Sequence, residues 1–149
     1  MRPGTVVVIP RLGDPMERAR VLIVDDDSAL CEVNTLILEL AGYSVTTSPT
    51  TGTQAVAAAV GGQPQVIVCR PRYRSDDPTW QVITHLGTNP QTRSIPVVLI
   101  ASDARVASQR RSLPNVRRVI SAPYELTTFR AAIAACVADT HKESGTKAG

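Results

Sequence analysis

Three short, uninterrupted apolar runs constrain the fold of this chain most: Val21-Leu22-Ile23-Val24, Val66-Ile67-Val68-Cys69 and Val97-Val98-Leu99-Ile100. A strand wet on one face alternates apolar with polar residues. A run with no polar break is buried on both faces, the position of a strand in a parallel sheet covered by helices. Helical patterns separate these runs. Ser28 caps a helix with Leu30, Val33, Ile37 and Leu40 at i, i+3, i+7 and i+10, stopped by Gly42. Tyr43 to Thr47 alternates as a strand, and Thr53 to Val60 is an Ala-rich helix ended by Gly61-Gly62. Further helices are expected over Pro78 to Leu86, over the Arg-rich Ala104 to Ser112, and over Leu126 to Ala138 with Leu126, Phe129, Ile133 and Cys136 on one stripe. Val116 to Ile120 supplies a fifth strand. Five strands alternating with five helices predict an α/β chain with a doubly wound, five-stranded parallel sheet and helices on both faces.

The 149 residues fit one such domain. Residues 1–18, crowded with Pro and Gly, read as an N-terminal extension in which Thr5 to Ile9 makes at most a short strand. Met16 is an alternative native start to Met1. The domain itself spans 19–139, and the polar stretch 140–149 reads as a disordered tail with no output domain after it. With five aromatic residues, the core must be built from Val, Ile, Leu and Ala, and a stacking platform for nucleic acid is poorly supplied. A formal charge of +3 demands neither nucleic acid nor membrane. No segment approaches the roughly 20 apolar residues that span a bilayer. Cys31, Cys69 and Cys136 are scattered in apolar contexts, as reduced thiols of a cytoplasmic protein would be.

In doubly wound sheets function gathers at the carboxyl ends of the strands. The first strand ends in Asp25-Asp26-Asp27. Three adjacent carboxylates call for a cation, an arginine or a helix N-terminus. Two readings stand: a Mg²⁺ site, and capping of the following helix by Asp27 or Ser28.

The run Val21-Leu22-Ile23-Val24-Asp25-Asp26-Asp27, with Gly42-Tyr43-Ser44-Val45, Gly52-Thr53-Gln54-Ala55, Ile95-Pro96-Val97-Val98-Leu99-Ile100 and Pro123 after the fifth strand, resembles a response-regulator receiver domain over residues 19–139. The resemblance implies strand order 2-1-3-4-5 and a place in two-component phosphorelay signalling. It also implies a partner that is a histidine kinase or a downstream effector. Such a domain takes a phosphoryl group onto an Asp ending the third strand; here that position is Arg70. The hydroxyl position ending the fourth strand falls on Ala101, with Ser102 next. The Lys position before Pro123 falls on Ala122, and the switch aromatic falls on Val119. Only Asp25 and Asp26 remain of the phosphorylation pocket. A guanidinium stays protonated and cannot attack phosphorus.

Asp25, Asp26 and Arg70 together carry net −1, against −2 for three carboxylates and a lysine. The expectation is therefore a pseudo-receiver, not an enzyme, with no cofactor or only weak Mg²⁺ at Asp25 and Asp26. Arg70 is expected across Asp25, Asp26 or both in the metal's place; the alternative is an Arg70 turned to solvent. Asp76 and Asp77 are the only other carboxylates that could accept a phosphoryl group, and they read first as caps of the helix opening at Pro78. Cys69 reads as core packing before it reads as a reactive thiol. Arg105, Arg110, Arg111, Arg117 and Arg118 cluster on the fourth helix and the approach to the fifth strand. In the resembling family that face, with the last helix, docks partners and forms homodimers. Here it reads as a site for an acidic protein, with nucleic acid the weaker alternative, or as a solvated basic face. His85 and His141 stand alone, with no zinc spacing. Ala122-Pro123 is open to either peptide isomer.

Overall fold

The computed structural model describes residues 18–50 and 53–148. Met1, Met16 and the expected Thr5–Ile9 strand lie outside the described residues. In chain order the elements are β1 (Arg20–Val24), α1 (Ser28–Leu40), β2 (Ser44–Ser48), α2 (Gln54–Gly62), β3 (Val66–Cys69), α3 (Pro78–Thr88) and β4 (Val97–Ala101). They continue with α4 (Ala104–Ser108), a 3₁₀ turn (Gln109–Ser112), β5 (Val116–Ser121) and α5 (Leu126–Ala148). The strands pair in parallel in the order β2-β1-β3-β4-β5. The apolar runs explain why. Leu22, Val24, Ile67, Cys69, Val97 and Leu99 point to one side with α2, α3 and α4, while Val21, Ile23, Val66, Val68, Val98 and Ile100 point to the other with α1 and α5. Alternate residues along each central strand thus fill two separate cores.

Several details differ from the sequence reading. The α1 stripe is rotated: Val33 and Leu40 are 54% and 72% exposed, while Asn34 and Leu38 are buried. Asn34 takes a core position because its side-chain oxygen accepts the Tyr124 hydroxyl at 3.2 Å, a partner the periodicity could not reveal. On α5, Phe129, Ile133 and Cys136 are buried, but Leu126 at the helix start is 43% exposed. That helix continues to Ala148, over the segment expected to be a tail. The fourth helix is only five residues long before it tightens into the 3₁₀ turn. The helix α2 runs through Gly61-Gly62, and Gln63 takes the left-handed cap at φ 43°. Its loose carbonyls are met by side chains: Arg20 Nη2 donates to the Gln63 carbonyl at 2.8 Å and Gln63 Nε2 to the Val60 carbonyl at 3.1 Å.

Candidate functional site

The first, second and third strands all end at one edge of the sheet, which brings Asp25, Thr50 and Arg70 around a cleft of about 390 Å³. Register fixes the approach: Val24 lies opposite Cys69, so the next residues, Asp25 and Arg70, emerge side by side. Arg70 grips Asp25 in a two-pronged pair, Nε to Oδ2 at 2.8 Å and Nη2 to Oδ1 at 3.0 Å. The side chains are 20% and 8% exposed, so the pair is shielded from water. The Asp25 hydrogen bond, the largest influence, and its charge raise the Arg70 guanidinium above its ordinary value, against the opposing effect of burial. Arg70 also stands 4.0 Å from Asp27.

Asp26 turns away from the pair. Its Oδ1 accepts the Thr50 N–H at 2.8 Å, and its Oδ2 accepts the Thr50 hydroxyl in a short contact. Asp27 caps α1 by accepting the Leu30 N–H at 3.0 Å, so Asp27 and not Ser28 holds that role. Arg70 therefore meets Asp25 and does not meet Asp26. Thr50 was missed from the sequence. Its signal was its position just past the end of β2, beside the strand end that carries the aspartates.

The remaining pocket positions carry no hydroxyl or amine. Ala101 is buried at the end of β4, where its carbonyl accepts the Ala122 N–H at 2.8 Å. Ala122 is exposed and joined to Pro123 by a cis peptide bond. Val119, at the position of the switch aromatic, is half-buried. Asp76 pairs with Arg74 at 2.9 Å, and Asp77 caps α3 through the Thr79 N–H at 2.8 Å. Burial pushes the Asp77 carboxyl up, and N–H groups of Arg72 and Thr79 more than offset this, holding it below its ordinary value. Cys69 is fully buried, and burial drives its thiol well above the ordinary range; its place is in the core. Cys31 is half-buried, its Sγ 3.5 Å from the Asp25 carbonyl, and its thiol is also raised, by burial first and then by the Asp25 charge.

The donors present do not fit a divalent cation. A hard cation wants several free carboxylate or carbonyl oxygens. Here both Asp25 oxygens face a guanidinium, both Asp26 oxygens face Thr50, and the position opposite Asp25 carries positive charge. Among the described residues no group of three or more His, Cys, Asp or Glu gathers as a metal site.

The five arginines of the expected patch meet different neighbours. Arg105 bonds Asp103 at 3.0 Å and lies over the Tyr73 ring, while Arg110 and Arg111 are exposed on the 3₁₀ turn. Arg118 lies 3.8 Å from Asp139 of α5, and Arg117 lines a crevice with Pro96 and Thr140 at the far end of β5. His85 is exposed on α3. No helix among the described residues is long and apolar enough to cross a membrane.

No family model matches the sequence, and no curated protein does. Solved structures do match. The response regulator receiver domain protein (CheY-like) of Methanospirillum hungatei is 20% identical with a TM-score of 0.69, covering 85% of this chain and 98% of that one. The signal receiver domain of a signal transduction histidine kinase from Syntrophus aciditrophicus is 26% identical with a TM-score of 0.66, over 81% and 91% of the two chains. A chemotaxis response regulator of Vibrio cholerae is 18% identical with a TM-score of 0.67, over 80% and 98%. The fold is that of response-regulator receiver domains, as the strand order 2-1-3-4-5 and the likeness both state.

Proposed function

We propose that this chain is a pseudo-receiver: a signalling module of the two-component type that works by protein–protein contact without being phosphorylated, and not an enzyme. The observation that carries this reading is the two-pronged Arg70–Asp25 pair. In a phosphate-accepting pocket a carboxylate nucleophile faces a bound cation. Here a guanidinium stands at the nucleophile's position and its charge occupies the carboxylate. A unit-charge pair at 4 Å is worth about 4 kcal/mol at an effective dielectric of ~20, before desolvation is subtracted. The two-pronged geometry and the burial of both side chains favour a single arrangement of the pocket. The hydroxyl and lysine positions, Ala101 and Ala122, have no group to bind a phosphoryl oxygen. A histidine kinase or a downstream effector in the cytoplasm is the partner this reading calls for, with homodimerisation through α4, β5 and α5 as a further mode.

The test is phosphorylation by acetyl phosphate in Mg²⁺, read by intact mass. The reading expects no phosphoryl adduct on the wild-type chain. An adduct mapped to Asp76 or Asp77 would overturn it in favour of an atypical acceptor.

A further inference from the structure

We propose that a slot between the β3–α3 loop and the 3₁₀ turn is the docking site for an acidic peptide segment of a partner protein, which inserts one apolar side chain. The inference rests on the protein-binding reading above, though not on the state of the Asp25 pocket. The slot measures about 370 Å³ and is lined by Tyr73, Arg74, Ser75, Trp80 and Gln109. Two of the chain's five aromatic residues therefore wall one small cleft. Tyr73 is 46% exposed, one of few large apolar side chains left open to solvent.

Both walls are set in advance. The Trp80 indole N–H donates to the Arg72 carbonyl at 2.8 Å, and the Arg105 guanidinium sits 4.6 Å from the centre of the Tyr73 ring. A partner meeting fixed walls spends less of its binding energy on ordering them. Trp, Tyr and Arg are also the residue types that dominate the energetic centres of protein interfaces.

Charge selects the partner. Arg74 lines the slot, Arg105 lies over its Tyr73 wall, Arg72 precedes Tyr73 in the chain, and Arg110 and Arg111 follow directly on Gln109. Asp76, Asp77 and Asp103 oppose them: Asp76 and Asp103 are each bonded to an arginine, and Asp77 accepts the Arg72 backbone N–H, which leaves five arginines against three carboxylates. The complement is an acidic segment with an apolar anchor. A nucleic acid fits less well. Stacked bases need open ring faces, whereas Arg105 covers one face of Tyr73 and Trp80 packs against the core.

The experiment pans a phage-displayed library of random peptides against the full chain. The best binder is then synthesised and its affinity measured by fluorescence polarisation. We expect enriched peptides with net negative charge around an apolar residue, and binding that weakens as salt is raised. Tyr73→Ala, and separately the double variant Arg110→Glu with Arg111→Glu, should each weaken binding about tenfold or more while keeping the wild-type circular dichroism. An oligothymidylate competitor should leave the peptide bound. Failure to enrich, enrichment without acidic bias, or displacement by oligothymidylate would overturn the proposal. Acidic peptides that bind Tyr73→Ala as tightly as wild type would sink the slot while leaving the protein-binding reading intact.

Discussion

Replacing Arg70 with Ala isolates the contact on which the pocket depends. The substitution removes two charge-assisted hydrogen bonds and leaves Asp25, 8% exposed, without its counter-charge. Hydrogen bonds to charged groups are worth about 1.5–3 kcal/mol each, and breaking a fully buried pair costs about 3–5 kcal/mol. Two features lower the cost here. Asp25 Oδ1 keeps the Asp27 N–H at 2.9 Å, and the cleft beside it is open enough for water to solvate the freed carboxylate. We therefore expect a loss of about 2 kcal/mol in urea unfolding at neutral pH, with the slope of the transition unchanged. Arg70→Lys keeps the charge without the planar fork and should recover only part of that loss. A double-mutant cycle with Asp25→Asn should show the two effects to be coupled. An Arg70→Ala variant within about 0.5 kcal/mol of wild type, the range of ordinary surface changes, would refute the reasoning.

The acid limb of stability should depend on Asp77. Its carboxyl sits below the ordinary value, so its contribution is present above the unfolded value of about 3.9 and is lost as pH falls through the folded value. Asp77→Asn should flatten that loss in urea midpoints measured from pH 5 downward, and an unchanged acid limb would count against the cap. Thr50→Val should cost about 1 kcal/mol by removing the hydroxyl partner of Asp26, read by the same unfolding assay. Iodoacetamide on the native chain at neutral pH, followed by peptide mass mapping, should modify Cys31 slowly and leave buried Cys69 and Cys136 untouched.

The fold was legible because the sheet announces itself through composition. Runs such as Val66–Cys69 can only be buried on both faces, and that requirement dictates helices on both sides. The pocket was legible for a different reason: the resemblance to receiver domains put Arg70 at the third-strand end facing the aspartates, and the register of β1 and β3 sets Asp25 and Arg70 side by side. What escaped depends on side-chain partners far apart in sequence. Asn34 is buried on account of Tyr124, which rotates α1 and leaves Val33 and Leu40 in solvent. Thr50, 24 positions from Asp26, captured the second carboxylate. Sequence neighbourhood also says nothing of which arginine meets which carboxylate: Arg105 meets Asp103, and Arg118 meets Asp139 of α5.

The central claim, a pocket held by Arg70 and closed to phosphoryl chemistry, is tested most directly by an amide NMR titration with Mg²⁺ followed by beryllofluoride, a phosphoryl mimic. The account expects at most weak Mg²⁺ shifts near Asp25 and no saturable response to beryllofluoride. Saturable beryllofluoride shifts that spread from the strand ends to α4 and α5 would contradict it.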